Sequence, residues 1–285
     1  MRGMPRVPAY PDVPEDSPAM SPTVGGPTVP GSRRIPSRFD ASFAPPAKFL
    51  FGDAASAYLT QLRSELGLDD IVSAARDEGD LERVRRVLHW ASCLWEHDGA
   101  NVPARNDPLS ILREAAEGKP FRCVEYSIVL AGALGALGYR SRTLSLMTAD
   151  VETREFGAGH VVAEVQLPDC GTWVMLDPQF DAVPLVRQRP SNAVQLADAL
   201  CFNPDAVEIL SMSAKAQADY VGWIEPYLHY FSAALDNRYD VERETGVVRV
   251  APTGSSEPRV FQRVHPLPAA TLFTHCPSVL YPTPA

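Results

Sequence analysis

Three side chains in this 285-residue chain have the types needed to cut or transfer an acyl group: Cys123, His160 and Asp177. A thiol attacks a carbonyl well only as the thiolate. An imidazole can take its proton, and a carboxylate can orient that imidazole through the other ring nitrogen. Attack would give a thioester that a second nucleophile resolves. Taken singly the three are weak signals, because free cysteine often packs as a small core hydrophobe and an aspartate before proline commonly ends a strand or opens a turn. What matters is whether the chain must bring them together.

Cys123 lies near the start of KPFRCVEYSIVLAGALGALG, from Lys119 to Gly138. Gly118 and Pro120 break the preceding helical pattern and Gly138 offers a stop. From Val124 to Leu137 the residues are almost all apolar or small, and a helix hydrophobic on every side is a buried one. Its polar groups, Arg122, Glu125, Tyr126 and Ser127, crowd the first turn. A thiol there meets unpaired backbone N–H groups and the positive end of the helix dipole, which can lower its pKa from ~8.5 toward ~3.5–7.5. The N–H of Cys123 itself would form part of an oxyanion hole.

After Gly138 the period changes to two. Residues 142–148 read as a strand, 149–159 as a polar loop, and 160–167 and 172–177 as a hairpin closed by PDCG. With Pro168–Gly171 as the loop, Leu167 pairs with Thr172, which puts Val162 opposite Asp177 and His160 opposite Gln179. Those four side chains then share one face. Diagonal neighbours lie ~7–8 Å apart at the backbone, within reach of a His–Asp hydrogen bond. One residue more or fewer in the loop would put imidazole and carboxylate on opposite faces.

Elsewhere the apolar spacing predicts helices from Asp53 to Leu66, from Asp80 to His97, and from Pro108 to Gly118 with Asp107 as cap. Beyond Pro184 it suggests helices at 191–200 and 205–219, an aromatic segment at 220–231, and short strands near 247–250 and 259–264. Eleven of the 27 prolines fall before residue 47, in a stretch without apolar periodicity, so 1–46 is expected to be a flexible, proline-rich arm. The domain expectation is that arm, a catalytic domain over 47–240, and a short-strand extension over 241–285 packing on the core.

A net charge of −9 and a pI near 5.2 argue against nucleic acid or an anionic membrane as partner. No apolar run reaches spanning length, and the N-terminus lacks the apolar stretch of a secretory signal, so a cytoplasmic location is expected. The five cysteines are scattered and odd in number, without CxxC spacing; apart from Cys123 they are expected to be buried reduced thiols. His89, Cys93 and His97 share a helical stripe that three zinc ligands could occupy, but Trp90 and Leu94 on that face favour core packing. No metal and no cofactor is expected. His97 or the indole N–H of Trp95 is a candidate second oxyanion donor, with a histidine at a helix C-terminus as the plainer reading of His97. Glu125 and Tyr126 would either shape the pocket or cap the first turn. Gln179, on the face of His160 and Asp177, is a further candidate contact.

The run from about 85 to 185 resembles the transglutaminase-like superfamily of papain-like thiol enzymes, and within it bacterial proteins that carry WEHDG and FRCVEYS blocks. The shared features are Cys123 opening a helix; Leu137, Gly138 and Arg142; His160, Glu164 and Val165; and Trp173, Asp177 and Pro178. The resemblance implies an α+β fold with a papain-like, transglutaminase-like core, its cysteine helix packed on an antiparallel sheet. It also implies acyl transfer by a Cys123–His160–Asp177 triad. One departure is Val162, where the family often has an aromatic residue two after the histidine. The expected activity is hydrolysis of a peptide, amide or thioester. The alternatives are a transferase that passes the acyl group to an amine acceptor and a non-catalytic interaction module.

Overall fold

A computed structural model describes residues 39–40, 42, 44, 47–213, 219–239, 241–242 and 246–281; the expected arm, 1–46, lies outside them except for four positions. Strand β1 (Leu50–Phe51) leads to α1 (Ala57–Leu66), whose cap Ser56 accepts the Leu59 N–H. Gly67 separates α1 from α2 (Leu68–Ser73). Helix α3 (Asp80–Ser92) stops five residues before the expected His97. Helix α4 (Pro108–Ala116) begins as expected, with Asp107 accepting the Ser110 N–H and proline in the first turn.

Helix α5 (Cys123–Ala136) has α1, α3 and α4 packed around it. Its crossing with α4 depends on a missing side chain: a Cβ on Gly132 would stand 2.4 Å from Cγ of Pro108. Gly138, with φ 92°, then turns the chain into the sheet.

Strands β2 (Arg140–Met147), β3 (Gly159–Gln166) and β4 (Trp173–Leu176) follow. Leu167 N–H donates to the Thr172 carbonyl at 2.9 Å, and the pairs run from Gln166 with Trp173 to Ala163 with Leu176. This is the register that the four-residue loop dictates. The chain continues through β5 (Val183–Val186), β6 (Arg189–Pro190), α6 (Ala193–Phe202), β7 (Val207–Leu210), α7 (Tyr220–Ile224), β8 (Tyr230–Ala234), β9 (Asp236–Asn237), β10 (Val247–Val250), β11 (Val260–Phe261), β12 (His265–Pro266) and β13 (Leu272–Thr274). The helix expected over 205–219 is not formed at its start. Pro204–Ala206 make a 3-10 turn and Val207–Leu210 pair with β5 instead, the β-branched Val207 and Ile209 alternating as a strand requires; positions 214–218 lie outside the described residues.

The main sheet has the order β13-β10-β8-β2-β3-β4. It is antiparallel apart from the edge pair β10–β13, which runs parallel. Helices α1 to α5 supply the core on one face, with Leu59, Val87, Leu130 and Leu134 against Ala163 and Val165. Helices α6 and α7 close the other, with Leu196 and Ile224 against Leu144, Val162 and Phe231. The architecture is α+β, with the cysteine helix lying on the sheet. No helix among the described residues is long and apolar enough to cross a membrane.

An ion pair locks the two central strands. Arg142 and Glu164 face each other in the β2–β3 ladder, both fully buried, with Nη2 donating to Oε2 at 2.7 Å. The guanidinium lies 4.7 Å from the Phe49 ring centroid, 4.3 Å from that of Trp173 and 5.3 Å from that of Tyr281. The Tyr281 hydroxyl donates to the other oxygen of Glu164 at 2.7 Å. A buried pair needs such extra partners to offset its desolvation.

Candidate active site

Cys123 is the first residue of α5, so its backbone N–H has no intrahelical acceptor. The residue before it is extended, and the Arg122 N–H is taken by Glu125 Oε2 at 3.1 Å while Nη2 of Arg122 donates to Oε1 at 2.6 Å. Glu125 is fully buried by this arrangement and serves as the cap of the first turn. Tyr126 turns into the protein, its hydroxyl donating to the Trp95 carbonyl and its ring 4.5 Å from the Trp95 ring. Trp95 in turn packs edge-on against Phe121. Glu125 and Tyr126 are buried and Trp95 is half-buried, and none of the three is among the residues lining the cleft, so of the two readings of Glu125 and Tyr126 pocket-shaping gives way, and Trp95 does not stand as an oxyanion donor.

His160 opens β3, and its Nε2–H donates to Asp177 Oδ2 at 2.7 Å. The two groups are 3% and 0% exposed, so solvent does not compete for this bond. Asp177 is held from every side. Its Oδ2 also accepts the Tyr220 hydroxyl at 2.9 Å, and its Oδ1 accepts the Gln179 N–H at 3.1 Å. Its backbone exchanges two hydrogen bonds with Ala182, 2.9 and 3.0 Å, closing the turn that follows β4. Aromatic rings wall the imidazole: Trp223 edge-on with centroids 4.9 Å apart, Tyr227 at 6.0 Å and Phe180 at 6.4 Å. Sequence reasoning assigned no role to Tyr220, Trp223 or Tyr227. Their spacing of three and four within the aromatic segment was the available signal.

With Nε2 engaged by Asp177, Nδ1 is the ring nitrogen left for sulfur. Burial pushes the Cys123 thiol up, but its hydrogen bonds with His160 and His97, the nearby imidazolium charge and the Val161 N–H outweigh that and bring it down to about 6. For His160, burial works against the charged ring, while the Asp177 carboxylate and the Cys123 sulfur override it and lift the imidazole to about 10. The coupled pair thus favours thiolate and imidazolium at neutral pH.

His97 lines the same cleft as Cys123 and helps hold the thiol's pKa down. It does so from outside any helix, because α3 has already ended and residue 97 bridges in parallel to Phe121. The plainer reading of His97 as a helix-terminal group is corrected by that early stop. The same stop removes the helical stripe of His89, Cys93 and His97, and His89 instead pairs with Asp181 at 3.0 Å. Cys123, His160, His97 and Gln179 line one cleft of about 760 Å³. The expectation of buried thiols elsewhere holds only for Cys276; Cys93, Cys170 and Cys201 are exposed, at a helix end, a hairpin turn and the last turn of α6.

Residues 69–178, which contain all three of Cys123, His160 and Asp177, match the sequence pattern of the transglutaminase-like superfamily. That segment, somewhat over a third of the chain, is similar to a transglutaminase-like core. The match ends at Pro178, one residue after Asp177, and leaves α7 and the C-terminal strands beyond the matched segment. Among solved structures, one put forward as a cysteine protease from Cytophaga hutchinsonii is similar at 14% identity and a TM-score of 0.35, over 55% of this chain and 48% of that one. Another, described as a TGase, is similar at 15% identity and a TM-score of 0.32, over 42% and 31%. The chain thus spans less than half the length of either. No curated protein matches it.

Proposed function

We propose that the transglutaminase-like core is a cysteine hydrolase acting on an amide or thioester through Cys123, His160 and Asp177. The observation that carries this reading is an imidazole bonded to a buried carboxylate and lining the same cleft as Cys123, at the start of α5. In the first half-reaction the thiolate attacks the substrate carbonyl, a C–S bond forms and the carbonyl electrons move to oxygen. The Cys123 N–H, with His97 as a second donor, stabilises that oxyanion. Collapse breaks the bond to the leaving group, which takes the imidazolium proton. In the second half-reaction His160 removes a proton from water, the hydroxide attacks the thioester carbonyl, and collapse breaks the C–S bond, releasing the carboxylic acid and restoring the thiolate beside the imidazolium.

The same steps with an amine in place of water would make the protein an acyltransferase of transglutaminase type. Reading product masses after incubation with peptide amides or thioesters, with and without a primary amine, separates the two. Cys123→Ala and His160→Ala should each lower turnover by at least ~10³-fold without loss of fold, as expected when a nucleophile or its base is removed. Turnover that survives either change at near wild-type rate overturns the assignment and favours a non-catalytic module.

A further inference from the structure

Resting on that reading, we propose that one arm of the substrate is an uncharged, extended peptide segment lying in a trench across the sheet, over Val161, Ser145, Ser232 and Arg249. These four residues form a single row. Val161 pairs with Ser145, Ser145 with Ser232, and Ser232 with Arg249, each directly across neighbouring strands β3, β2, β8 and β10. Directly paired residues point to the same side of a sheet. Here it is the side of α5, because Ser141, two pleats before Ser145, donates its hydroxyl to the Ala131 carbonyl of that helix. All four line the cleft that holds Cys123 and His160, so the row is a floor leading away from the sulfur.

Its length follows from sheet geometry. Three interstrand steps of ~4.8 Å give a floor of ~14 Å, and an extended chain advancing ~3.3 Å per residue covers it with about four residues. A small amide would leave most of that unused. Its depth comes from the two serines, whose side chains leave room that any larger residue would fill. The walls carry Phe261, Leu267 and Pro268, and Phe261 lies so close to Gly159 that a Cβ there would stand 2.8 Å from its ring.

Charge restricts the occupant further. Among the described residues lining the cleft there is no carboxylate. Its two arginines are already engaged: Arg122 with Glu125, and Arg249 through Nε to Ser232 at 2.9 Å, Nη1 to Glu257 at 3.1 Å and Nη2 to the Pro268 carbonyl at 3.2 Å. A charged residue of substrate in the trench would lose water without gaining a counter-ion. Amide groups, by contrast, can exchange hydrogen bonds with the hydroxyls of Thr143 and Ser145 on the same face.

The test uses the full chain and synthetic peptides with a central thioester, extended by one to six alanines on the acyl side or on the thiol side. On one side kcat/KM should rise through about four residues, on the order of tenfold or more in total, and then level off. Replacing the second alanine of that arm by aspartate or lysine should remove the gain. Ser145→Phe should flatten the length dependence, while Ser145→Ala should keep it. Turnover of the shortest thioester with no length dependence on either side overturns the trench and leaves the proposed function standing. If no thioester is consumed and Cys123 resists alkylation, both fall together. Equal gains for alanine and aspartate arms overturn the uncharged occupant.

Discussion

A thiolate beside an imidazolium reacts with electrophiles at a pH where ordinary thiols do not. Iodoacetamide should therefore modify Cys123 with an apparent pKa near 6, well ahead of Cys93, Cys170 and Cys201 at pH 7, although those three are more exposed. Access alone would give the opposite order, so peptide mapping of the alkylated protein distinguishes ionisation from exposure. The rate should hold as pH rises toward the imidazole value of about 10 and fall as pH drops below 6, where the thiolate is protonated. Tyr220 offers a second measurement. Its hydroxyl donates to the same Asp177 oxygen as His160, stabilising the carboxylate and weakening its hold on the imidazolium. Tyr220→Phe should move the basic limb of the pH–rate profile upward, by less than about one unit for a single neutral hydrogen bond. A limb that stays in place would mean the hydroxyl serves packing alone. At this scale the sequence showed which types could react and, through hairpin parity, that His160 and Asp177 share a face. It could not show Tyr220 or Trp223, because their approach depends on α7 folding back from 43 residues further on.

At the scale of elements, α5 was legible because nearly every residue between its polar first turn and Gly138 is apolar, and the β3–β4 register because the loop length leaves one parity. The C-terminus of α3 was not legible. Leu94 and Trp95 continue the apolar stripe, yet Trp95 is claimed by Phe121 and Tyr126, which are distant in sequence, and the backbone leaves the helix to bridge at His97. The segment after Pro204 was misread for a related reason: β5 is there to pair with, and pairing overrides a weak helical preference. One helix contact lends itself to a stability test. Gly132→Leu would drive a side chain into the Pro108 ring. It should destabilise the fold by about 1–3 kcal/mol despite the better helix propensity of leucine, measurable by urea unfolding at unchanged m-value.

For the molecule as a whole, the C-terminal strands β10 and β13 belong to the sheet that carries β3. Strand β10 pairs with β8, and β8 with β2, while Tyr281 closes the stack over Arg142 and Glu164. Deleting residues 246–285 should therefore abolish a single cooperative thermal transition instead of yielding a smaller stable domain, with circular dichroism and calorimetry as the readout. A sharp melt of the shortened chain would favour a separable extension. The sequence suggested short strands near 247–250 and 259–264 packing on the core, but not that β10 would join the central sheet, because short strands rich in proline carry little periodicity and their place is fixed only by partners far upstream. The turn after β4 has a last consequence. Asp177 is fixed by two backbone bonds to Ala182 and by three donors on its carboxylate, so ordering of the acid–base pair is completed before any substrate arrives. The barrier to acylation should then be chiefly enthalpic, with little activation entropy from this half of the machinery, and its temperature dependence should report bond-making more than the gathering of loose parts.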